Sequence, residues 1–210
     1  MDHRNQSDLS QKGQNTMENP AVRDNRGGKV IFLSHCCLNQ NAKVRGIASY
    51  PGAVTPLVEL LLAHGVGMYQ MPCPENAYLG NMRWGMVKDQ YNNPMFRRHC
   101  RRLAQEVVDQ VENYLQCGYR VLGFVMMDGS PVCGLNSTPR PKNPEALWGG
   151  MTWYLPEQVY APGMGNYCEV LREELESRGL GDIPFVASPE LDEVGSMDDA
   201  LAKVRALLEP

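Results

Sequence analysis

Apolar positions along this chain fall into two alternating rhythms. Short, mostly apolar runs at 30–35, 66–72, 121–127 and 183–187 predict strands, each bounded by Gly, Pro, Ser or Asp. Between and after them, apolar residues return every three or four positions and predict helices. The first helix is Val54 to His64, stopped by Gly65. A long one carries Phe96, Cys100, Leu103, Val107, Val111 and Tyr114 and ends at Gly118. A third runs from Asn166 to Arg178, with Tyr167, Val170, Leu171 and Leu175 inward and Gly179 as its cap. Ser196 caps a last helix carrying Met197, Leu201, Val204 and Leu208. Strand then helix, four times over, predicts one three-layer α/β domain with a short, mostly parallel sheet.

The rhythm fails at two places. Residues 1–28 hold five apolar side chains (Met1, Leu9, Met17, Ala21, Val22), too few to bury a core, and read as a disordered leader before a domain at 29–210. Residues 134–165 hold five prolines and two tryptophans without a sustained period, and read as a long functional loop or lid. Its start, directly after Cys133, would set it over whatever Cys133 serves.

Composition narrows the function. The formal charge is −4 with no basic run, which argues against a nucleic-acid partner, and no apolar run is long enough to span a membrane. The expected compartment is the cytoplasm. There, seven cysteines read as metal ligands, reactive thiols or buried hydrophobes rather than disulfides. Nucleotide-binding glycine loops and a Gly-x-Ser-x-Gly nucleophile turn are missing from the chain.

Three of the cysteines follow predicted strands: Cys36 after the first, Cys73 after the second, Cys133 a short turn after the third. Ligands of an open parallel sheet bind outside the carboxyl ends of its strands, so the three thiols are expected to gather at one edge. Cys100, Cys117 and Cys168 lie in or at the end of amphipathic helices and read as small buried hydrophobes, and Cys37 leans the same way. Structural zinc wants four ligands, commonly with Cys-x-x-Cys pairs, which are lacking. An iron–sulfur cube held by three cysteines leaves one iron without a protein ligand. Spacing alone leaves both metals open.

The motifs Ser34-His35-Cys36-Cys37-Leu38-Asn39, Met71-Pro72-Cys73-Pro74-Glu75, Asp128-Gly129-Ser130-Pro131-Val132-Cys133-Gly134, Gly163-Met164-Gly165 and Ser188-Pro189-Glu190 resemble the 2-thiouracil desulfurase family, from about Lys29 to Glu193. The chain differs in its extra Cys37, in Asn39-Gln40-Asn41 where a glycine-containing turn is usual, and in a longer 134–165 segment. The resemblance implies a [4Fe-4S] cluster on Cys36, Cys73 and Cys133, its fourth iron open to a thiocarbonyl sulfur of a small thiolated substrate.

Such chemistry needs a proton acceptor. Glu75, two residues after a ligand, is the candidate; capping the next helix or pairing with Arg83 is its plainer role. Ser130 is the second catalytic candidate, against simple turn stabilisation. Ser34 and Asn39, within the first motif, are candidate substrate contacts. His35 reads as a buried, satisfied histidine. Met82, Trp84, Met86, Trp148 and Trp153 would line a pocket for a flat heterocycle or pack under loops. Two rivals remain: an enzyme using Cys36 or Cys133 as a metal-free nucleophile with His35 as base, and a non-enzymatic iron–sulfur or zinc sensor.

Overall fold

The computed structural model describes residues 24–148 and 157–209. The proposed leader therefore lies outside the described residues except for its last five, and so does the centre of the proposed lid.

Four parallel strands form the main sheet: β1 (Lys29–Leu33), β2 (Gly67–Gln70), β3 (Arg120–Asp128) and β6 (Phe185–Pro189), in the order β2-β1-β3-β6. Successive side chains of a strand point to opposite faces, so each strand divides its residues between two cores. Val30, Phe32, Phe124 and Met126 face one side. They pack there with Phe96, Leu103, Val107 and Val111 of α5 (Pro94–Gln116) and with Tyr167, Val170 and Leu171 of α6 (Asn166–Ser177). Ile31, Leu33, Val125 and Met127 face the other. Their partners are Leu57 and Leu61 of α2 (Thr55–Ala63) and Leu201 and Val204 of α7 (Met197–Leu208). The result is the three-layer α/β domain with a mostly parallel sheet.

The chain order sets the site. After β1 the chain pairs β2 on one flank and then returns to pair β3 on the other. The reversal opens a crevice outside the carboxyl ends of β1 and β3, where open sheets bind ligands. Two short helices border it, α1 (His35–Leu38) and α3 (Pro74–Leu79), and α4 (Lys88–Tyr91) reaches Glu75 of α3 through the Tyr91 hydroxyl.

Two sequence expectations change. The first strand ends at Leu33, and residues 35–38 turn into α1 instead of extending the strand. The 134–165 segment is not structureless. It forms an antiparallel ribbon of β4 (Ser137–Pro141) and β5 (Gln158–Pro162), with a 3-10 turn over Pro144–Trp148. Pro139 and Pro141 hid β4 from pattern reading, because proline is depleted in strands. Each strand of a two-stranded ribbon has a free edge, and proline is tolerated at sheet edges.

Candidate functional site

Cys36, Cys73 and Cys133 line one pocket, together with His35, Lys43, Glu75, Arg83, Ser130 and Glu190; the cavity encloses about 190 Å³. Each thiol reaches it from a different element. Cys36 lies in the first turn of α1, which begins directly after β1. Cys73 is the N-cap of α3, its sulfur accepting the Asn76 N–H at 3.4 Å. Cys133 sits in the turn after β3, whose carbonyl accepts from the Met127 N–H at 3.1 Å.

That turn is fixed by Asp128 at the end of β3. Its carboxylate accepts the Leu135 and Asn136 N–H groups at 2.7 Å each, the Ser137 N–H at 3.4 Å and the Asn136 side-chain amide at 2.9 Å. Asp128 is thus a builder of the loop. Gly165, of the Gly163-Met164-Gly165 motif, lets α6 approach the same turn. A Cβ there would stand 2.4 Å from the Val132 carbonyl carbon and oxygen.

Burial pushes the Cys36 and Cys133 thiols well above their ordinary range. Cys37 and Glu190 add to the effect at Cys36, and Cys73 and Cys36 add to it at Cys133. Burial also raises Cys73, with Glu75 adding and the Asn76 N–H opposing. Without a metal these are neutral thiols near enough to influence one another. All seven cysteines are free. Cys37, Cys100 and Cys168 are buried in the cores as expected, but Cys117 is exposed at the C-cap of α5, where the chain leaves the helix's apolar stripe.

Two ion pairs stand in the same pocket. Glu75 Oε2 accepts from Arg83 Nε at 3.0 Å and from the Tyr91 hydroxyl at 3.3 Å. Arg83 also donates to the Gly80 and Ala42 carbonyls, clamping α3 to the loop after α1. The Arg83 pairing open to Glu75 from sequence is therefore present. Burial raises the Glu75 carboxyl, while Arg83 and Tyr91 pull it back. Glu75 Oε1 has no hydrogen-bond partner among the described residues. The second pair, Lys43 and Glu190, was not found by sequence reasoning. Lys43 Nζ lies 3.2 Å from Glu190 Oε1, with side chains only 5% and 9% exposed. Glu190 belongs to the Ser188-Pro189-Glu190 motif, which names no partner for it, and Lys43 lies in no local pattern that announces a partner far along the chain.

The remaining candidates divide. Ser130 lines the pocket, and its Oγ accepts the Val132 and Cys133 N–H groups at 3.3 and 3.0 Å, so it does hold the turn. Its hydroxyl proton remains for a further acceptor. His35 is partly buried at the pocket, with Nδ1 3.2 Å from the Met71 carbonyl. Ser34 and Asn39 are not among the lining residues. Ser34 is buried with no partner for its hydroxyl, and the Asn39 side chain caps the turn after α1 by accepting the Asn41 N–H at 3.1 Å. Of the apolar set, Met86 lines the pocket, whereas Met82 and Trp84 are 97% and 70% exposed. Trp153 and the Trp148 side chain lie outside the described residues.

The donor set can be tested against a metal. Among the described residues, no three His, Cys, Asp or Glu side chains close up around one point as ligands of a single ion. A single zinc would draw its thiolates to about 2.3 Å and ask for a fourth ligand. The two pocket carboxylates are committed to Arg83 and Lys43. Three free thiols lining one pocket are the donor type and number that a multi-atom cluster with three cysteine ligands would need.

No family model matches the chain, and no solved structure matches it. Among curated proteins, it is 32% identical over 110 residues to the uncharacterized protein MJ0003 of Methanocaldococcus jannaschii, an alignment covering 52% of this chain and 70% of that protein. Similarity of that extent establishes kinship: the chain belongs to the family of this uncharacterized archaeal protein.

Proposed function

We propose that this protein is an iron–sulfur-dependent desulfidase that replaces the sulfur of a small thiolated molecule with oxygen from water. The observation that carries the reading is the lining of one pocket by three thiols from the ends of three adjacent parallel strands, with the Glu75 carboxylate beside them. A [4Fe-4S] cluster held by Cys36, Cys73 and Cys133 would supply an iron without a protein ligand, open to a thione sulfur.

The protein's own groups do the rest. Water adds at the thione carbon as Glu75 Oε1 takes its proton, and the carbon–sulfur bond breaks to leave an oxo product and hydrosulfide. Arg83 and Tyr91 hold Oε2, so Oε1 is fixed in place as the acceptor. The Ser130 hydroxyl, anchored by two backbone N–H groups, has its proton to donate to substrate or water. Seven unpaired cysteines suit the reducing cytoplasm, where we place the protein. Among the described residues, no helix is long and apolar enough to cross a membrane.

The metal-free nucleophile reading draws less support. It needs a base against a thiol, and among the described residues no histidine bonds any of the three sulfurs. His35, the nearest candidate, spends Nδ1 on the Met71 carbonyl.

The test is the visible spectrum, iron content and acid-labile sulfide of protein purified without oxygen. About four irons per chain are expected, lost when any of Cys36, Cys73 or Cys133 becomes Ser. Glu75→Gln should keep the cluster and lose sulfide release from thiolated heterocycles, because an amide cannot accept the proton. Zinc at one equivalent without sulfide, or turnover without iron that thiol alkylation stops, would refute the reading.

A further inference from the structure

Glu75 and Ser130 come from different parts of the fold, one on α3 and one in the turn after β3. No hydrogen bond among the described residues joins them directly. A proton acceptor works only when it is held at a set place against the groups it serves. Arg83 does not set that place relative to Ser130. Its guanidinium ties Glu75 to the Gly80 and Ala42 carbonyls, and neither belongs to the Ser130 turn. The other hold on Glu75 is Tyr91, so the position of α4 matters.

α4 is a single turn of helix, too short to stand on its own hydrogen bonds. Three side-chain contacts fasten it to neighbouring elements. Asp89 pairs with Arg140 of β4 at 2.7 Å, and Lys88 Nζ pairs with Glu169 of α6 at 2.5 Å. Both pairs are partly exposed to water, where such pairs hold weakly. The third contact is the Asn166 side-chain amide, which donates to the Lys88 carbonyl at 3.0 Å. Asn166 is fully buried, so water cannot take its place.

Asn166 is also the first residue of α6. The N–H groups of Asn166, Tyr167 and Cys168 donate to the Pro131 and Val132 carbonyls at 2.9 to 3.3 Å. The residue therefore joins α4 to the turn that carries Ser130 and Cys133. A path of contacts runs from the Pro131 carbonyl through Asn166 to Lys88, along α4 to Tyr91, and from its hydroxyl to Glu75 Oε2 at 3.3 Å. The arrangement has a cost, because Asn166 Oδ1 is buried with no hydrogen-bond partner among the described residues. A leucine of similar size would avoid that cost, so the amide serves for what its donor reaches rather than for packing.

We propose that Asn166 is a positioning residue for the proton acceptor: through the Lys88 carbonyl and Tyr91 it fixes Glu75 relative to the Ser130–Cys133 turn. The consequence for rate rests on the desulfidase reading; the link itself does not.

Metal-free full-length protein, isotope-labelled at the tyrosine Cζ carbons, tests the link by NMR. That carbon reports what the hydroxyl bonds, and Tyr91→Phe assigns its signal. Asn166→Leu should shift the Tyr91 signal. Val204→Ala, a cavity variant in the core on the other face of the sheet, should leave it unmoved. In iron-loaded protein, Asn166→Leu should lower kcat for sulfide release from 2-thiouracil by about tenfold or more, with KM and iron content unchanged. Made in Tyr91→Phe, the same change should cost nothing further, because both act through one hydroxyl. Should Asn166→Leu fail to fold, Asn166→Ser, polar and too short to reach Lys88, must shift the Tyr91 signal instead. An unmoved signal in the folded variant, an equal shift in Val204→Ala, losses that multiply in the double variant, or loss of iron would each overturn the inference. If wild type releases no sulfide from 2-thiouracil or other thiolated heterocycles, the desulfidase reading falls and the Tyr91 signal alone decides the link.

Discussion

Replacing Arg83 by Met isolates the cost of holding Glu75 in place. Arg83 is only 3% exposed and makes three contacts: Glu75 at 3.0 Å, the Gly80 carbonyl at 3.2 Å and the Ala42 carbonyl at 2.8 Å. Methionine fills much of the same space but leaves a buried carboxylate without its counter-charge. Removing one member of a buried pair costs about 3–5 kcal/mol. A domain's whole stability is about 5–15 kcal/mol, so the variant should lose a large share of it. Adding Glu75→Leu removes the stranded charge, and this double variant should recover much of the loss, the remainder being the two freed carbonyls and the freed Tyr91 hydroxyl. Urea unfolding of metal-free protein at neutral pH, followed by circular dichroism, measures all the corners of the cycle. The reasoning fails if Arg83→Met and the double variant lose the same amount. The Glu75 charge would then carry no burial cost, and Arg83 would act only through the carbonyls.

Other consequences of the structure are open to equally direct measurement. Gly165→Ala places a Cβ against rigid backbone at Val132 and should cost about 3 kcal/mol in urea unfolding, with loss of iron uptake because the Cys133 turn is displaced. Cys100→Ala, buried in the core and not among the pocket-lining residues, should cost only about 1 kcal/mol and leave iron content unchanged. Burial works to raise Glu169, but Lys88 at 2.5 Å and Arg97 at 2.8 Å prevail and hold its carboxyl below the ordinary range. Its folded pKa is lower than its unfolded one, so its contribution is present above about pH 4.5 and is lost as pH falls through the folded value. Glu169→Gln should therefore flatten the acid side of the stability curve, and an unchanged acid slope would show these ion pairs to be energetically silent.

The layers were legible because their signals are local. The apolar stripe of α5 and the Ser196 cap of α7, whose Oγ accepts the Asp199 N–H, follow from spacing within single segments. The convergence of Cys36, Cys73 and Cys133 on one pocket edge followed from one topological rule applied to strand ends. What stayed hidden is non-local. Nothing near Lys43 names Glu190, and nothing within β4 offsets its prolines until β5 pairs with it. Ser34 and Asn39, the two ends of the first motif, do not line the pocket. The early end of β1 turned one hydroxyl into the interior and made the other side chain a cap.

The strand order also fixes when this pocket can exist during the life of the chain. Cys36 and Cys73 come together once β1 and β2 pair, but the third wall needs β3, which docks on the far flank of β1. Glu190, just beyond β6, completes the pocket only when that last strand joins β3. On a ribosome, the emerging chain thus offers isolated thiols first, then a pair, and a finished cradle only after β6 has emerged. A ligand that needs all of these walls would then bind after the sheet has closed, and its loading would follow folding rather than nucleate it.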